Sequence, residues 1–273
     1  MNTQELIDTA KALVAGDKGL LAMDESNPTC NQRLAKLGIP QTEEARRAYR
    51  ESIVTTPGLG ESISGAILYD ETIRQRKQDG TPFVTAITDA GIIPGIKVDT
   101  GAKDMAGHPG EKITEGLDGL RSRLAEYFQM GARFAKWRAV IAVGDGMILK
   151  PNMVLPGSTC PKQETVDAVA DATVRCLLRA VPASVPGIAF LSGGQSADPA
   201  SARLNAMNAR FKSRLPWALV FSLARAIQQP ALEIWRGEEA HVLAAQQALY
   251  HRAKCNRAAR RGEYTAAMEK ENQ

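Results

Sequence analysis

Short apolar runs bounded by turn residues alternate along this chain with longer segments whose apolar residues recur at helical spacing. The apolar runs predict seven strands, and the periodic segments predict five helices. The strands are expected at residues 19–24, 65–69, 93–98, 133–143, 147–154, 187–191 and 217–223. The helices are expected at residues 41–53, 116–130, 161–180, 201–211 and 229–261. Nearly continuous apolar strands that alternate with helices indicate an α/β fold, a parallel sheet in a barrel or a doubly wound arrangement.

The chain shows no linker, repeat or low-complexity segment. Residues 1–273 are therefore predicted to form one domain, with a C-terminal helical region at about 229–261. No G-x-G-x-x-G follows the first strand, and no G-x-x-x-x-G-K-S/T occurs in the sequence. Their absence weakens the nucleotide-binding version of the fold.

Composition and charge narrow the class of protein. With 44% hydrophobic and 23% charged residues, the chain is neither disordered nor fibrous. Its longest apolar runs cover about half a membrane span and no signal peptide is visible, so we expect a cytoplasmic protein that does not bind membranes. The net charge is only +4, and its one dense basic block, Arg252–Arg261, is predicted to be a solvated helix face. Binding to nucleic acid is therefore not expected.

The cysteines and histidines give no metal signature by spacing. The four cysteines, at positions 30, 160, 176 and 255, form no C-x-x-C and no paired pattern, and the three histidines are scattered. We expect neither a disulfide framework nor a zinc site, and chemistry that needs no metal and no cofactor.

Basic residues interrupt three of the apolar strands. Lys97 and Lys150 lie near strand ends, and Lys136 and Arg138, two residues apart, project from one face of their strand. Burying an ammonium without compensation is costly, so each one alone would be read as a surface residue whose amine reaches solvent. Three lysines in the same context favour a shared site, since in a barrel the C-terminal strand ends meet at one mouth.

Other predicted strands end in groups that suit the same mouth. Asp24 follows the first strand, where it is either a site carboxylate or a helix cap. Ser192 and Gly193 begin a Gly-rich turn before a helix, which can bind an anion through backbone N–H groups. Arg225 follows the last strand and offers a fork of donors for phosphate.

Several fixed cations around one carboxylate call for a ligand with several negative charges. A lysine crowded by other cations and apolar walls loses its proton easily and becomes a nucleophile toward carbonyls. The residues therefore predict Schiff-base chemistry on a phosphorylated aldehyde or ketone.

Six motifs resemble, in order, those of class I fructose-bisphosphate aldolase. They are Leu20-Leu-Ala-Met-Asp24-Glu-Ser, Gly95-Ile-Lys97-Val-Asp, Phe134-Ala-Lys136-Trp-Arg138, Leu149-Lys150-Pro-Asn-Met-Val, Phe190-Leu-Ser192-Gly-Gly-Gln-Ser and Pro216-Trp-Ala-Leu-Val-Phe-Ser-Leu-Ala-Arg225-Ala. The resemblance implies a TIM barrel, a glycolytic lyase that reversibly cleaves fructose 1,6-bisphosphate to dihydroxyacetone phosphate and glyceraldehyde 3-phosphate without metal, and a homotetramer.

The resemblance also implies roles for the site residues. Lys150 is expected to form the Schiff base, Asp24 to handle the proton of the C4 hydroxyl, and Lys136 to keep Lys150 neutral and stabilise charge. The remaining residues are expected to bind the substrate. Ser192, Gly193 and Arg225 would cradle one phosphate, and Arg33, Lys97 and Arg138 would lie toward the other phosphate or the sugar chain.

One junction departs from both the pattern and the family. The strands at 133–143 and 147–154 are joined by three residues, whereas a parallel crossover needs a dozen or more. About 70 residues of the family pattern, including its proton-shuttling glutamate, are absent between Val143 and Met147, so seven of eight barrel strands remain. Either an unresolved segment is missing from the sequence, which we favour, or the deletion is real. A hairpin through Asp145-Gly146 would pair Lys150 near Ile141 and separate it from Lys136 by roughly 16 Å.

Three functions remain open at this stage. The first is a Schiff-base aldolase acting on fructose 1,6-bisphosphate. The second is a non-catalytic aldolase-like protein that binds phosphosugar or serves as a scaffold, which a real deletion would favour. The third is another Schiff-base barrel of the transaldolase type, with a single phosphate site.

Overall fold

The structure, a computed structural model, describes residues 3–138, 146–157 and 159–270. Its strands are β1 (Gly19–Met23), β2 (Ile63–Leu68), β3 (Ile93–Lys97), β4 (Gly101–Asp104), β5 (Lys112–Glu115), β6 (Phe134–Lys136), β7 (Gly187–Phe190) and β8 (Ala218–Leu223). Six of them form one parallel sheet in the order β6-β3-β2-β1-β8-β7, and β4 and β5 form a separate antiparallel hairpin. The predicted α/β class with a parallel sheet is confirmed.

Ten α-helices lie in the described part of the chain. They are α1 (Thr3–Val14), α2 (Asn27–Ala35), α3 (Glu43–Val54), α4 (Asp70–Arg74), α5 (Phe83–Asp89), α6 (Leu120–Gln129), α7 (Val166–Ala180), α8 (Ala197–Phe211), α9 (Arg225–Trp235) and α10 (Val242–Arg261). Short 3₁₀ turns lie between some of these elements, and one at Ala266–Lys270 follows α10. Within the described residues, no helix combines the length and apolar character that crossing a membrane requires.

Burial explains why the sheet strands are almost continuously apolar. Every residue of β1, β2 and β7 is buried, as expected for strands whose two faces are both covered. Small residues allow close packing: a Cβ on Gly95 of β3 would lie 2.2 Å from the ring of Phe134. The sheet is therefore held by tight contacts that leave its strand ends in fixed positions.

The chain that follows the short junction between the Lys136 and Lys150 motifs runs parallel to the sheet strands. Leu149 forms a parallel bridge with Ile188 of β7, and its carbonyl accepts a hydrogen bond from the Ala189 N–H at 2.8 Å. The predicted strand 147–154 is reduced to this single bridge. Of the predicted strand 133–143, only β6 is seen, and residues 139–145 lie outside the described residues. The hairpin interpretation is wrong, because residue 149 runs parallel to the sheet.

The C-terminal region differs from the single helix predicted at 229–261. Two helices, α9 and α10, replace it, because Arg236 and Gly237 adopt left-handed backbone conformations with φ of 50° and 84°. The prediction of a solvated basic face on α10 is only partly correct, because Lys254 and Arg261 are exposed but two other basic residues of the block are buried. Arg252 and Arg260 are 4% and 6% exposed, since the helix packs against α8 and α9.

Candidate active site

The carboxyl ends of the parallel strands meet around a cavity of about 500 Å³. Asp24 follows β1, Lys136 ends β6 and Ser192 lies two residues beyond β7. The cavity is lined by eight of the nine predicted site residues: Asp24, Arg33, Lys136, Arg138, Lys150, Ser192, Gly193 and Arg225. The fold therefore brings together residues that are up to 201 positions apart in the chain.

The ninth predicted residue, Lys97, faces a neighbouring cavity of about 690 Å³. That cavity shares Asp24, Arg33 and Arg138 with the first. Lys97 is thus near the site but is tied to another group, because its Nζ lies 2.8 Å from the Oδ1 of Asp99.

Lys150 has the electrostatic character of an amine nucleophile. Burial lowers its pKa from 10.5 to about 8; the charge of Asp24 opposes this change, and the charges of Lys136 and Arg138 assist it. Lys150 and Lys136 line the same cavity, which contradicts the separation required by a hairpin.

Lys136 is held between two carboxylates. Its Nζ lies 3.0 Å from the Oδ2 of Asp24 and 3.7 Å from the Oδ2 of Asp99. All three side chains are at most 15% exposed. The two ion pairs therefore hold the Lys136 side chain in place at the edge of the cavity that also contains Lys150.

Asp99 was missed as a site residue. Its side chain is fully buried, and among the described residues its Oδ2 has no hydrogen-bond partner. Burial alone would raise its pKa, but the hydrogen bond from Lys97 and the charges of Lys136, Lys97 and Arg138 together hold that pKa below its usual range. The signal in the sequence was a carboxylate two residues beyond a strand lysine.

Asp24 is not the cap of the following helix. Helix α2 begins at Asn27 with Ser26 as its N-cap residue, so the carboxylate of Asp24 remains free to contact Lys136. The neighbouring Glu25 was also missed. Its Oε1 accepts a hydrogen bond from Arg33 at 2.6 Å, and burial raises its pKa despite the charge of Arg33.

The Gly-rich turn after β7 has the form of an anion cradle. Gly193 and Gly194 have φ of 57° and 86°, which favour glycine. A Cβ on Gly193 would lie 2.0 Å from the Oδ1 of Asn152, whereas one on Gly194 would meet open space. Among the described residues, the buried Oγ of Ser192 has no hydrogen-bond partner. An unpaired hydroxyl beside left-handed glycines can receive phosphate oxygens.

Comparison with known proteins gives a consistent result. The family model "Fructose-bisphosphate aldolase class-I" matches residues 5–146 and 143–273. A probable class 1 fructose-bisphosphate aldolase of Xylella fastidiosa is 43% identical over 334 positions, covering 97% of this chain and 99% of the relative. Chloroplastic and cytosolic aldolases of Arabidopsis thaliana are each 40% identical, covering 99% and 95% of this chain and 86% and 91% of their own lengths.

The same similarity holds in three dimensions. A crystal structure of fructose-bisphosphate aldolase from Plasmodium falciparum, in complex with TRAP and a small-molecule inhibitor, superposes with a TM-score of 0.92 at 36% identity. The match covers 96% of each chain. The neighbour is a TIM barrel, which agrees with the order of the parallel strands in this sheet.

The comparisons also locate the gap. The 334-position alignment contains 97% of this 273-residue chain, about 265 residues, so about 70 positions of the relative have no counterpart. The two matched stretches of the family model meet at residues 143–146, between the Lys136 and Lys150 motifs. The sequence runs without a break through residues 143–146, so the gap is a feature of this chain. The interpretation that an unresolved segment is missing from the sequence is therefore not supported.

Sequence, fold and site geometry agree with these matches along nearly the whole chain on both sides of the gap. We conclude that the chain belongs to the class I fructose-bisphosphate aldolase family of glycolytic carbon–carbon lyases, which have the TIM-barrel fold.

Proposed function

We propose that this chain reversibly cleaves fructose 1,6-bisphosphate to dihydroxyacetone phosphate and glyceraldehyde 3-phosphate through a Schiff base on Lys150. The observation that carries the proposal is the lowered pKa of Lys150, about 8, in a cavity that also presents Lys136 and Arg138. An amine of this kind is neutral often enough at physiological pH to attack a ketone.

The reaction follows from the positions of three groups. The neutral Nζ of Lys150 adds to the C2 carbonyl, and the carbinolamine takes up one proton and loses water to give a protonated imine. Asp24 accepts the proton of the C4 hydroxyl, the C3–C4 bond breaks, and its electron pair passes into the imine to form an enamine. Glyceraldehyde 3-phosphate leaves, the enamine is protonated at C3, and water releases dihydroxyacetone phosphate. Lys136 disfavours a second charge on Lys150 and stabilises the oxyanion of the carbinolamine steps.

Two phosphate-binding subsites would orient the substrate. Ser192, Gly193 and Arg225 would bind one phosphate through a hydroxyl, backbone N–H groups and a guanidinium. Lys97, Arg138 and Arg33 would lie toward the other phosphate. Arg33 keeps its ion pair with Glu25, so it would act there as an already oriented donor.

The central experiment is borohydride reduction in the presence of dihydroxyacetone phosphate, followed by peptide mass mapping. The expected adduct lies on Lys150, and Lys150→Arg abolishes it. Lys162→Arg is the matched control, since the side chain of Lys162 is 84% exposed. An adduct on another residue, or none, would reject the proposal. Arg225→Ala and Arg33→Ala should each weaken binding; an effect of only one would favour a transaldolase-type reaction with a single phosphate site.

A second candidate function is favoured by the gap itself. About 70 family positions are absent, and residues 137–149 contain no glutamate. Proton transfer to the carbinolamine could then be too slow for turnover, which would leave a non-catalytic phosphosugar-binding protein. Binding of fructose 1,6-bisphosphate without glyceraldehyde 3-phosphate release would establish this alternative.

We also propose a single-domain chain, a homotetramer and a cytoplasmic location. The tetramer rests on family membership, and the location on cytosolic relatives, although chloroplastic ones exist as well. Light scattering during gel filtration tests the assembly. The intact mass of the expressed protein is expected to be near 29.4 kDa, and a mass larger by about 70 residues would show that the gap is not real.

A further inference from the structure

A second cluster of chemically reactive side chains lies outside the cavity, where the C-terminal turn folds back on α10. Within residues 3–138, 146–157 and 159–270, His251, Cys255 and Glu269 form the one group of three metal-ligand types whose ligand atoms all lie within 4.8 Å of each other. His251 and Cys255 are 9% and 0% exposed, and Glu269 is half-buried. We propose that these residues form a zinc site that fastens the turn Ala266–Lys270 to α10.

The spacing of the first two ligands fits the metal. His251 and Cys255 are four residues apart on one helix, so their side chains share a face. Their Nε2 and Sγ atoms lie 3.5 Å apart. Zinc bonds of about 2.3 Å to sulfur and 2.0–2.1 Å to nitrogen, at a tetrahedral angle, place the two atoms about 3.5 Å apart. The helix therefore already holds this pair at the separation that zinc requires.

Glu269 is oriented for a third bond by its neighbours. Its Oε1 accepts a hydrogen bond from the Tyr264 hydroxyl at 2.7 Å, and its Oε2 contacts Arg252. A carboxylate oxygen has more than one lone pair, and carboxylates that bind metals are themselves commonly hydrogen-bonded in this way. Tyr264 and Arg252 would therefore hold the Glu269 carboxylate in position and still leave a lone pair for the zinc ion.

The local charges also balance. A thiolate on Cys255 and the carboxylate of Glu269 together neutralise a divalent ion. Arg252 retains a second anion, Asp198, whose Oδ1 lies 3.4 Å away. A ligand set of one thiolate, one imidazole and one carboxylate is suited to zinc. Magnesium and calcium prefer oxygen ligands only. Three ligands from the described residues leave one position of the tetrahedron, which water would fill.

The site would act on the fold rather than on the reaction. Arg252 also donates a hydrogen bond to the Ser201 Oγ of α8 at 2.9 Å, and α8 begins shortly after the Gly-rich turn at the cavity. Zinc would therefore join the last turn, α10 and α8 into one unit. Sequence spacing missed the site because it compared cysteines with one another and not Cys255 with His251.

The test is a titration of the chelator-treated full-length protein with Co²⁺, followed by competition with Zn²⁺. One equivalent should bind with a thiolate-to-cobalt charge-transfer band, and Zn²⁺ should raise the midpoint of thermal unfolding. Cys255→Ser should abolish the band, and His251→Asn and Glu269→Gln should each weaken binding about 100-fold or more. Tyr264→Phe, which removes an orienting group, should weaken it about 10-fold.

Cys176→Ser is the matched control, since Cys176 is exposed on α7, and it should change nothing. If Cys255→Ser fails to fold, Glu269→Gln on the surface turn still decides the question, with circular dichroism as the check. Binding without a charge-transfer band, or with unchanged affinity in Glu269→Gln, would overturn the three-ligand site. Failure to bind metal would show that Cys255 and His251 form only a hydrogen bond, and would leave the aldolase proposal untouched.

Discussion

The ionisation of Lys150 is the quantity on which the proposed chemistry depends most directly. A pKa of about 8 in place of 10.5 leaves about a tenth of the amines neutral at pH 7, against about three in ten thousand for an ordinary lysine. The structure thus predicts about a 300-fold gain in reactive amine at this pH. Because the protonated form cannot attack, capture should fall as pH falls through 8, by about tenfold per unit below it.

The assay is the rate of borohydride-trapped adduct formation with dihydroxyacetone phosphate between pH 6 and pH 11, with reduction itself fast. The rate should rise with pH and level off above about 8. Lys136→Met removes a neighbouring cation and should move the midpoint upward, whereas Lys162→Met should not. A midpoint near 10.5 in the wild-type chain would refute the argument that burial and adjacent charge activate this amine.

Other consequences concern stability and binding. The pKa of Lys150 is lower in the folded than in the unfolded state. Below about pH 8 the charged amine therefore destabilises the fold, and this penalty disappears as the pH rises to 10.5. Lys150→Met should raise the free energy of unfolding, measured in urea, by about 3 kcal/mol at pH 7 and by much less at pH 10.5. Asp99→Asn breaks two buried ion pairs and should lower the free energy of unfolding by about 3 kcal/mol. Asp104→Asn breaks an exposed ion pair and should change that free energy by less than about 1 kcal/mol. Equal effects of the two substitutions would contradict this expectation. Gly193→Ala should weaken phosphosugar binding, measured by calorimetry, at least about tenfold more than Gly194→Ala. Both glycines have positive φ, but only a Cβ on Gly193 meets a neighbouring side chain. Equal losses of affinity would show that backbone strain alone matters.

Local patterns were sufficient for several strands. Strands β1, β7 and β8 begin and end within one residue of the predicted positions, because each is a short apolar run bounded by turn residues. Helix α1 was missed although it packs Leu13 and Val14 against the sheet. The division between α9 and α10 was also missed, since it depends on a left-handed Arg236, a conformation that the residue type does not announce.

The sequence by itself determined which residues carry charge at the strand ends: Lys97, Lys136 and Lys150 stood out because ammonium groups are rare in apolar runs. Only the tertiary structure decided what those charges do. The convergence of strand ends surrounds Lys150 with protein and places Lys136 between Asp24 and Asp99, which lie 112 and 37 positions before it in the chain. Both effects act through space. Desolvation and charge pairing depend on distances that no local pattern contains, so the same lysines could have been solvated surface residues until the sheet assembled around them.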